Sequence, residues 1–328
     1  MNLKFAFLPL LVLLSCTQKS NRKEVWVYSS SYKEVLAMYE PEFEKDHPDL
    51  KIKWFQAGSE IVATKIQAEL AAGQPKADLI MTSDLFFFQD LGQKGHLLTM
   101  PEESFKTLPE AYKDPARQFA ISRFPVMVIA YHTSIPEKDR PKSFMDLTNP
   151  KYKGKLTMPS PLESGTSLTT VMFLKQKFGE EYFKKLREND ILASGGNGAT
   201  MSRVQSQERP IAILLMENVL QAKERGLTQV DFILPSEGGI PMPSPLAILK
   251  TTTQPENAKK VFDWMLGDSA QRVLVKGWVY SSLPGQPDPA NAPAWSSLKL
   301  FDWDLATMKK WGTERQSLKD FFQKTVLN

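Results

Sequence analysis

Cysteine and histidine, which disulfide frameworks and most metal sites require, are scarce in this chain. Its one cysteine, Cys16, excludes a disulfide within the chain, and its three histidines, His47, His96 and His132, stand far apart. None of them belongs to an H-E-x-x-H zinc motif, and no G-x-S-x-G nucleophile elbow occurs. We therefore expect no enzyme activity, no metal and no cofactor.

Long apolar runs and blocks of like charge are also missing. The 41 basic and 37 acidic residues are spread along the chain and give a net charge of +4, so nothing indicates a nucleic-acid groove. After the N-terminal segment, no stretch is apolar enough to span a membrane. At 328 residues the chain suits two domains, each large enough to bury its own core.

The N-terminal segment has the layout of a bacterial lipoprotein signal. In "MNLKFAFLPLLVLLSC", Lys4 precedes an apolar run over 5–14 that is too short to span a bilayer. The sequence "LLSC" at 13–16 resembles a lipobox, in which the cysteine is lipidated and becomes the new N-terminus. We therefore predict a signal peptide over 1–15, lipidation of Cys16 and a polar tether over 16–23, with membrane contact through the lipid anchor only.

An alternation of strand and helix patterns follows the tether. The stretches "EVWVYSS", "KIKWFQAG" and "ADLIMTSD" are typical of strands, and each precedes a helical pattern. Ser31 and Glu34 fit a capping box, and Ser59, Thr82 and Ser83 fit the starts of the next two helices. This order predicts a parallel sheet with helices on its faces.

The same alternation recurs in the middle of the chain. The stretches "GKLTMPSP" and "IAILLMEN" are typical of strands, and helical patterns cover 167–178 and the segment after the Gly-rich "SGGNG". Extended runs, "SRFPVMVIAY" and "PSPLAIL", are suited to cross between two lobes. The predicted fold class is α/β, with 24–124 and 249–328 in lobe 1 and 125–248 in lobe 2. The C-terminal part, with Trp295, Trp303 and Trp311, is expected to cover lobe 1.

A run of small hydroxylated residues, "ESGTSLTTV" over 163–171, stands between a strand pattern and a helix pattern. Ser164, Gly165 and Thr166 fall at the first turn of that helix, where unpaired backbone N–H groups attract anions. An ordinary helix cap uses the same residue types. Taken alone, the run supports either an anion site or a cap.

The chain resembles the type II solute-binding proteins of ABC transporters, in the branch that binds ferric ion, sugar phosphates or phosphonates. The similarity covers about 24–285 and is carried by "VWVYSSSYKE", "ADLIMTSD", "YKGKLTMPSPLESGT", "ERPIAILLMENVLQAKERG" and "PMPSPLAILKTTTQPENAKKVFDWMLGDSAQ". The resemblance implies two lobes that close on a ligand through a two-strand hinge, with the ligand at the carboxyl ends of the strands. It implies a small-molecule ligand and the permease subunits of an importer as partners, and we expect a monomer.

The resemblance also bears on the choice between iron and an anion. Tyr32, Ser83, Glu217 and Asn218 occupy the positions of the family's iron ligands, and Ser and Asn are poor ligands for ferric ion. The family's neighbouring anion site, a Ser-Gly-small sequence at a helix start, is present at 164–166. We therefore expect an anionic, phosphorylated solute, with a ferric-ion binder of the same fold as the alternative. A purely structural lipoprotein is a further alternative, but it would give the hydroxyl-rich strand ends no common function.

The remaining candidate contacts also lie at predicted helix starts. The stretch "GGNGATMSR" adds a further start, but it lacks the lysine of a nucleotide-binding P-loop and a flexible connection is the other interpretation. Arg203 could contact the anion or stay solvated, and Glu217 could accept hydrogen bonds from sugar hydroxyls or serve only as a structural partner. The full set of predicted ligand-binding residues is Ser30, Ser31, Tyr32, Ser59, Thr82, Ser83, Ser164, Gly165, Thr166, Asn197, Thr200, Arg203 and Glu217.

Overall fold

The computed structural model describes residues 22–328 as an α/β molecule with two β-sheets. The predicted signal peptide, Cys16 and the tether up to residue 21 lie outside the described residues. Among residues 22–328, no helix combines the length and the apolar character needed to cross a membrane. The strands are β1 (Lys23–Ser29), β2 (Leu50–Gln56), β3 (Leu79–Met81), β4 (Ala120–Phe124), β5 (Val126–His132), β6 (Leu156–Met158), β7 (Leu192–Ala193), β8 (Ile211–Leu215), β9 (Val230–Ile233), β10 (Ile240–Pro241), β11 (Ser244–Ile248) and β12 (Tyr280–Ser281).

Helices follow the strands in alternation. The helix predicted over 167–178 is longer than expected, since it begins at Gly165 and continues past a kink at Gly179, where φ is +72°. The helices are α1 (Lys33–Asp46), α2 (Ser59–Ala71), α3 (Leu85–Gln93), α4 (Gly165–Glu188), α5 (Asn197–Gln205), α6 (Met216–Glu224), α7 (Pro255–Met265), α8 (Asp268–Lys276), α9 (Leu305–Gly312) and α10 (Arg315–Phe322).

The two sheets share one plan. In the first sheet, with strand order β12-β4-β11-β3-β1-β2, the strands β1, β2 and β3 are parallel and lead into α1, α2 and α3. In the second sheet, with order β10-β5-β8-β6-β7 and β9 also paired to β5, the parallel strands β6, β7 and β8 lead into α4, α5 and α6. Because parallel strands end at the same edge of a sheet, each lobe gathers three helix N-termini at one edge. The predicted two-lobed α/β fold is confirmed.

The chain crosses between the sheets twice, at neighbouring points. Pro125 separates β4 from β5, and Met242 and Pro243 separate β10 from β11. The Met242 N–H donates to the Pro125 carbonyl at 2.8 Å, so the two crossings touch and form the hinge. Strand β11 pairs with β3 and β4, so the first sheet resumes at Ser244 rather than at the predicted residue 249.

The C-terminal segment packs on both lobes, whereas the sequence predicted that it would cover lobe 1. Helix α9 packs against α3 of lobe 1, while α10 and the final turn at Gln323–Leu327 pack against α4 of lobe 2. The reason is an aromatic contact that the sequence pattern did not reveal: the ring of Phe183 on α4 lies 5.4 Å from Phe321 and 6.0 Å from Phe322, between ring centroids. The segment therefore ties the lobes together.

A largely buried ion-pair network holds α10 to lobe 1. The Arg315 guanidinium lies 2.7 Å from a carboxylate oxygen of Asp84, which caps α3, and 2.7 Å from one of Glu60, in the first turn of α2. Lys319 lies 2.6 Å from the other oxygen of Glu60. Arg315 thus neutralises a fully buried carboxylate that has no other cation partner among the described residues.

Replacing Arg315 by Met should destabilise the protein strongly. Removing one partner of a buried pair leaves an uncompensated charge, which costs about 3 to 5 kcal/mol. The measurement is urea unfolding followed by circular dichroism. Arg272→Met is the matched control, because Arg272 pairs with Asp268 on the solvent-exposed side of α8 and its loss should change little. Equal destabilisation by the two variants would contradict the assigned role of Arg315.

Candidate ligand-binding site

A cavity of about 220 Å³ lies between the lobes, at the carboxyl ends of the parallel strands. All six turns that lead from a parallel strand into α1 to α6 contribute to its wall. Both polar and apolar side chains are present. The lining residues are Ser30, Ser31, Tyr32, Val35, Gln56, Ala57, Gly58, Ser59, Ser83, Arg123, Pro125, Glu163, Ser164, Thr166, Gly196, Asn197, Gly198, Leu215, Glu217, Leu274 and Val279.

Helix N-termini surround this cavity. The N-cap residues of α1, α2, α4, α5 and α6 all line it, namely Tyr32, Gly58, Ser164, Gly196 and Leu215. Each N-terminus carries roughly half a positive elementary charge on its unpaired N–H groups. Because the five termini line one cavity, the backbone alone makes the cavity attractive to anions.

Most of the predicted ligand-binding residues lie in the cavity wall. They come from six different turns, which the sequence separates by up to 187 positions but the two sheets bring together. Those that line the cavity are Ser30, Ser31, Tyr32, Ser59, Ser83, Ser164, Thr166, Asn197 and Glu217.

Three other predicted residues point elsewhere. Thr82 is fully buried behind the strand end. The Thr200 hydroxyl lies 3.3 Å from the Gly196 carbonyl and donates to it, within its own helix. The Arg203 guanidinium donates to the Ser194 carbonyl at 2.8 Å and so fastens the Gly-rich turn. Thr200 and Arg203 sit one turn too far along α5 to reach the cavity.

Gly165, the fourth predicted residue outside the wall, lies where the start of α4 packs on lobe 1. A Cβ atom at this position would stand 2.8 Å from the Cβ of Asp84 and 2.9 Å from that of Ser59. Such distances are shorter than van der Waals contact allows. Glycine is therefore required here so that the start of α4 can approach the starts of α2 and α3.

The helix starts agree with the predictions for α2 and α4 and differ for α1 and α3. Ser164 is the N-cap of α4, since its hydroxyl accepts from the backbone N–H three residues on, at 3.4 Å. The predicted capping box is wrong, because the N-cap of α1 is Tyr32 and makes no side-chain cap bond. Helix α2 begins at Ser59, as predicted, whereas Asp84 rather than Thr82 or Ser83 caps α3. The hydroxyls of Ser31 and Ser59 are thus not used as caps.

Three polar side chains form what we term the helix-start cluster, Ser164, Thr166 and Asn197. The Thr166 hydroxyl oxygen lies 2.9 Å from that of Ser164 and accepts from the Asn197 side-chain amide at 3.1 Å. The buried amide oxygen of Asn197 has no hydrogen-bond partner among the described residues. The cluster places two hydroxyls and an amide beside the N-termini of α4 and α5, where donors suit an oxyanion.

Arg123 is a buried, charged cavity residue that the sequence analysis missed. It lies on β4, in a strand whose five residues are all buried, and only 4% of its surface is exposed. Its guanidinium reaches the Ser83 hydroxyl at 3.5 Å, and the same hydroxyl accepts from Ser244 at 2.8 Å. The available signal was a charged residue inside an otherwise buried run next to Pro125, which we interpreted only as a crossing strand.

Burial shifts the pKa values of two ionisable residues in the cavity wall, Glu217 and Arg123. Burial raises the pKa of Glu217 to about 8, although its own backbone N–H, the nearby Arg123 and the Val126 N–H oppose the shift. Burial lowers the pKa of Arg123, while the charges of Tyr39 and Glu217 act in the opposite direction. At neutral pH, Glu217 is therefore mainly protonated and Arg123 charged, so the balance of side-chain charge at this end of the cavity is positive.

The lobes touch on either side of the cavity. Tyr32 of lobe 1 and Asn218 of lobe 2 exchange two side-chain hydrogen bonds, at 2.8 and 3.0 Å. The ion pair between Glu34 on α1 and Arg225 at the end of α6 measures 3.2 Å. These contacts join the start of α1 in lobe 1 to α6 in lobe 2.

Comparison with known proteins agrees with this architecture. The family of bacterial extracellular solute-binding proteins matches residues 74–308, which is more than half of the chain. A periplasmic protein of Salmonella typhi that is named as a 2-aminoethylphosphonate binder is 22% identical over 242 residues, covering 70% of this chain and 68% of its own.

Two solved structures have the same fold with different ligands. The periplasmic binding protein AfuA of Actinobacillus pleuropneumoniae, with fructose 6-phosphate bound, superposes with a TM-score of 0.82 at 23% identity, over 93% of this chain and 99% of that one. Iron-bound HitA of Pseudomonas aeruginosa gives a TM-score of 0.80 at 20% identity, over 92% and 99%. The chain belongs to the bacterial extracellular solute-binding proteins. Its two-lobed fold is shared with AfuA and HitA, whose bound ligands are fructose 6-phosphate and iron.

Glu217 should make the stability of the unliganded protein depend on pH. A carboxyl whose pKa is higher in the folded state, here about 8 against 4.5, stabilises the fold fully below the lower value. That stability is lost as pH rises through the higher value. Glu217→Gln should therefore gain stability relative to the wild type between about pH 5 and about pH 8, on the order of a few kcal/mol.

Urea unfolding across this pH range measures the effect. Glu224→Gln is the matched control, because Glu224 is an exposed carboxylate on the same helix and its variant should keep the wild-type slope. Parallel pH profiles for the wild type and Glu217→Gln would show that Glu217 is not protonated in the folded protein at neutral pH.

Proposed function

We propose that this protein captures a small anionic, phosphorylated solute, such as a sugar phosphate or another organophosphate, and delivers it to the permease subunits of an ABC importer. It acts outside the cytoplasmic membrane as a lipoprotein anchored through Cys16. The observation that carries the proposal is the convergence of five helix N-termini and the helix-start cluster on one cavity.

The donors in the wall match a phosphoryl group. Unpaired N–H groups at helix starts and the Thr166 hydroxyl, which can accept from Ser164 and Asn197 while its own proton is free, can donate to phosphate oxygens. Hydrogen bonds to a charged acceptor are about twice as strong as neutral ones. The positive guanidinium of Arg123 adds attraction at the other end of the cavity. A neutral solute would not use these donors as fully.

The size and remaining lining of the cavity favour an organic ligand. The volume of about 220 Å³ is several times the share of a single water molecule, which is about 30 Å³. A phosphoryl group would occupy only part of it. Apolar side chains, Val35, Leu215, Leu274 and Val279, cover part of the wall and suit the carbon skeleton of the solute.

The same wall is poorly suited to ferric ion, the alternative that the family leaves open. Burial raises the pKa of the Tyr32 hydroxyl, and this hydroxyl is held by Asn218, so the phenolate that iron requires is disfavoured. Glu217 is mainly protonated at neutral pH because of its raised pKa. Among residues 22–328, no three His, Cys, Asp or Glu side chains are grouped closely enough to hold a metal ion.

Thr166→Val should weaken binding of a phosphorylated solute. The change removes one hydroxyl donor but keeps the side-chain shape, and loss of a hydrogen bond to a charged group costs about 1.5 to 3 kcal/mol. Isothermal titration with fructose 6-phosphate and with 2-aminoethylphosphonate measures the loss, and fructose is the neutral comparison.

Thr148→Val provides the matched control. Thr148 also lies in lobe 2, but its hydroxyl donates to the Met145 carbonyl in a surface turn and does not line the cavity. Circular dichroism checks that both variants are folded. Wild-type affinity of a folded Thr166→Val protein for the phosphorylated probes would mean that the run at 163–171 is only a helix cap.

A further inference from the structure

Arg123 occupies the point where the two lobes meet. It lies two residues before Pro125, the first crossing, and its backbone pairs with that of Ser244, directly after the second. Ser83, which its guanidinium approaches, is bonded to Ser244 in turn. Arg123 is therefore a cavity residue built into the hinge.

The charge of Arg123 is buried without an acidic partner. None of the described carboxylates forms an ion pair with it, since every ion pair within 4.0 Å in residues 22–328 involves other cations. Within the same part of the chain, one terminal nitrogen of its guanidinium has no hydrogen-bond partner. A buried, incompletely paired charge is unfavourable, and a guanidinium is well shaped to bind two oxygens of a phosphoryl group.

Residues of lobe 2 lie beside Arg123 in the cavity wall. The part of the cavity that Arg123 lines is completed by Leu215 and Glu217 of lobe 2, and Glu217 is close enough for its charge to act on Arg123. Opening the hinge would separate these side chains from Arg123 and let water reach the guanidinium. Closing the lobes without an anion would remove that water and leave the charge uncompensated.

We propose that Arg123 makes closure conditional on an anion: it binds a phosphoryl oxygen of the solute directly, and without that partner its buried charge keeps the lobes open. This inference rests on the proposed function and adds a specificity-determining residue to it. Neutral solutes of similar shape are then rejected at the hinge as well as at the helix-start cluster.

The experiment compares Arg123→Met and Arg123→Lys with the wild type and with Arg272→Met, which removes an exposed positive charge that does not line the cavity. Titration with fructose 6-phosphate should show at least about a 30-fold loss of affinity for Arg123→Met. Arg123→Lys should lose less, because it keeps the charge but not the two-pronged geometry. Arg272→Met should bind as the wild type does.

Two measurements on the unliganded proteins separate this role from a merely structural one. Small-angle scattering should give a smaller radius of gyration for Arg123→Met than for the wild type or Arg123→Lys, because nothing then opposes closure. The melting temperature of Arg123→Met should rise. A structural arginine would instead give a lower melting temperature and an unchanged radius, and that result would overturn the proposal.

The titrations distinguish the proposed function from the proposed role of Arg123. If the wild type binds fructose 6-phosphate and Arg123→Met binds it equally well, Arg123 does not contact the anion and the inference fails while the proposed function stands. If the wild type binds neither fructose 6-phosphate nor 2-aminoethylphosphonate, the proposed function is contradicted. The radius and melting temperature of the unliganded Arg123→Met protein then decide whether its charge opposes closure.

Discussion

The unpaired N–H groups of five helix starts, enclosed between two lobes, are the constraint on which the site depends. Backbone donors shielded from water need acceptors, and their summed partial charge selects a negative acceptor. The parallel strands bring these helix starts to one place, and Ser164, Thr166 and Asn197 add side-chain donors beside them. The proposed ligand class thus rests on the backbone of the helix starts as much as on the side chains.

The C-terminal segment stabilises the starts of α2 and α3 through ion pairs. The starts of α2 and α3 carry the carboxylates Glu60 and Asp84, which would weaken the positive potential near the cavity if they stood alone. Arg315 and Lys319 neutralise them, and Gly165 allows α4 to pack against the same two starts. This segment contacts both lobes. Any movement of the lobes about the hinge must therefore keep the contacts of this segment or shift them along the lobe surfaces.

Sequence patterns predicted the alternating strands and helices and the helix start at Ser164, because these depend on local periodicity and capping chemistry. They could not predict that Arg123 lies in the cavity wall, since its position depends on a strand pairing that joins residues 121 positions apart. Nor could they show that Gly165 serves helix packing, or that Phe183 draws the C-terminal segment onto lobe 2. Direction and partner of a side chain are properties of the assembled sheets, which explains why Thr200 and Arg203 point away from the cavity.

The central claim, that the cavity holds a phosphorylated anion, is tested most directly by identifying the bound molecule. Native mass spectrometry of the protein, after incubation with the small-molecule fraction of a bacterial extract, gives the mass of the complex, and denaturation releases the ligand for phosphorus analysis. The account predicts one small phosphorus-containing acid per chain. One ferric ion per chain, or a neutral solute without phosphorus, would contradict it.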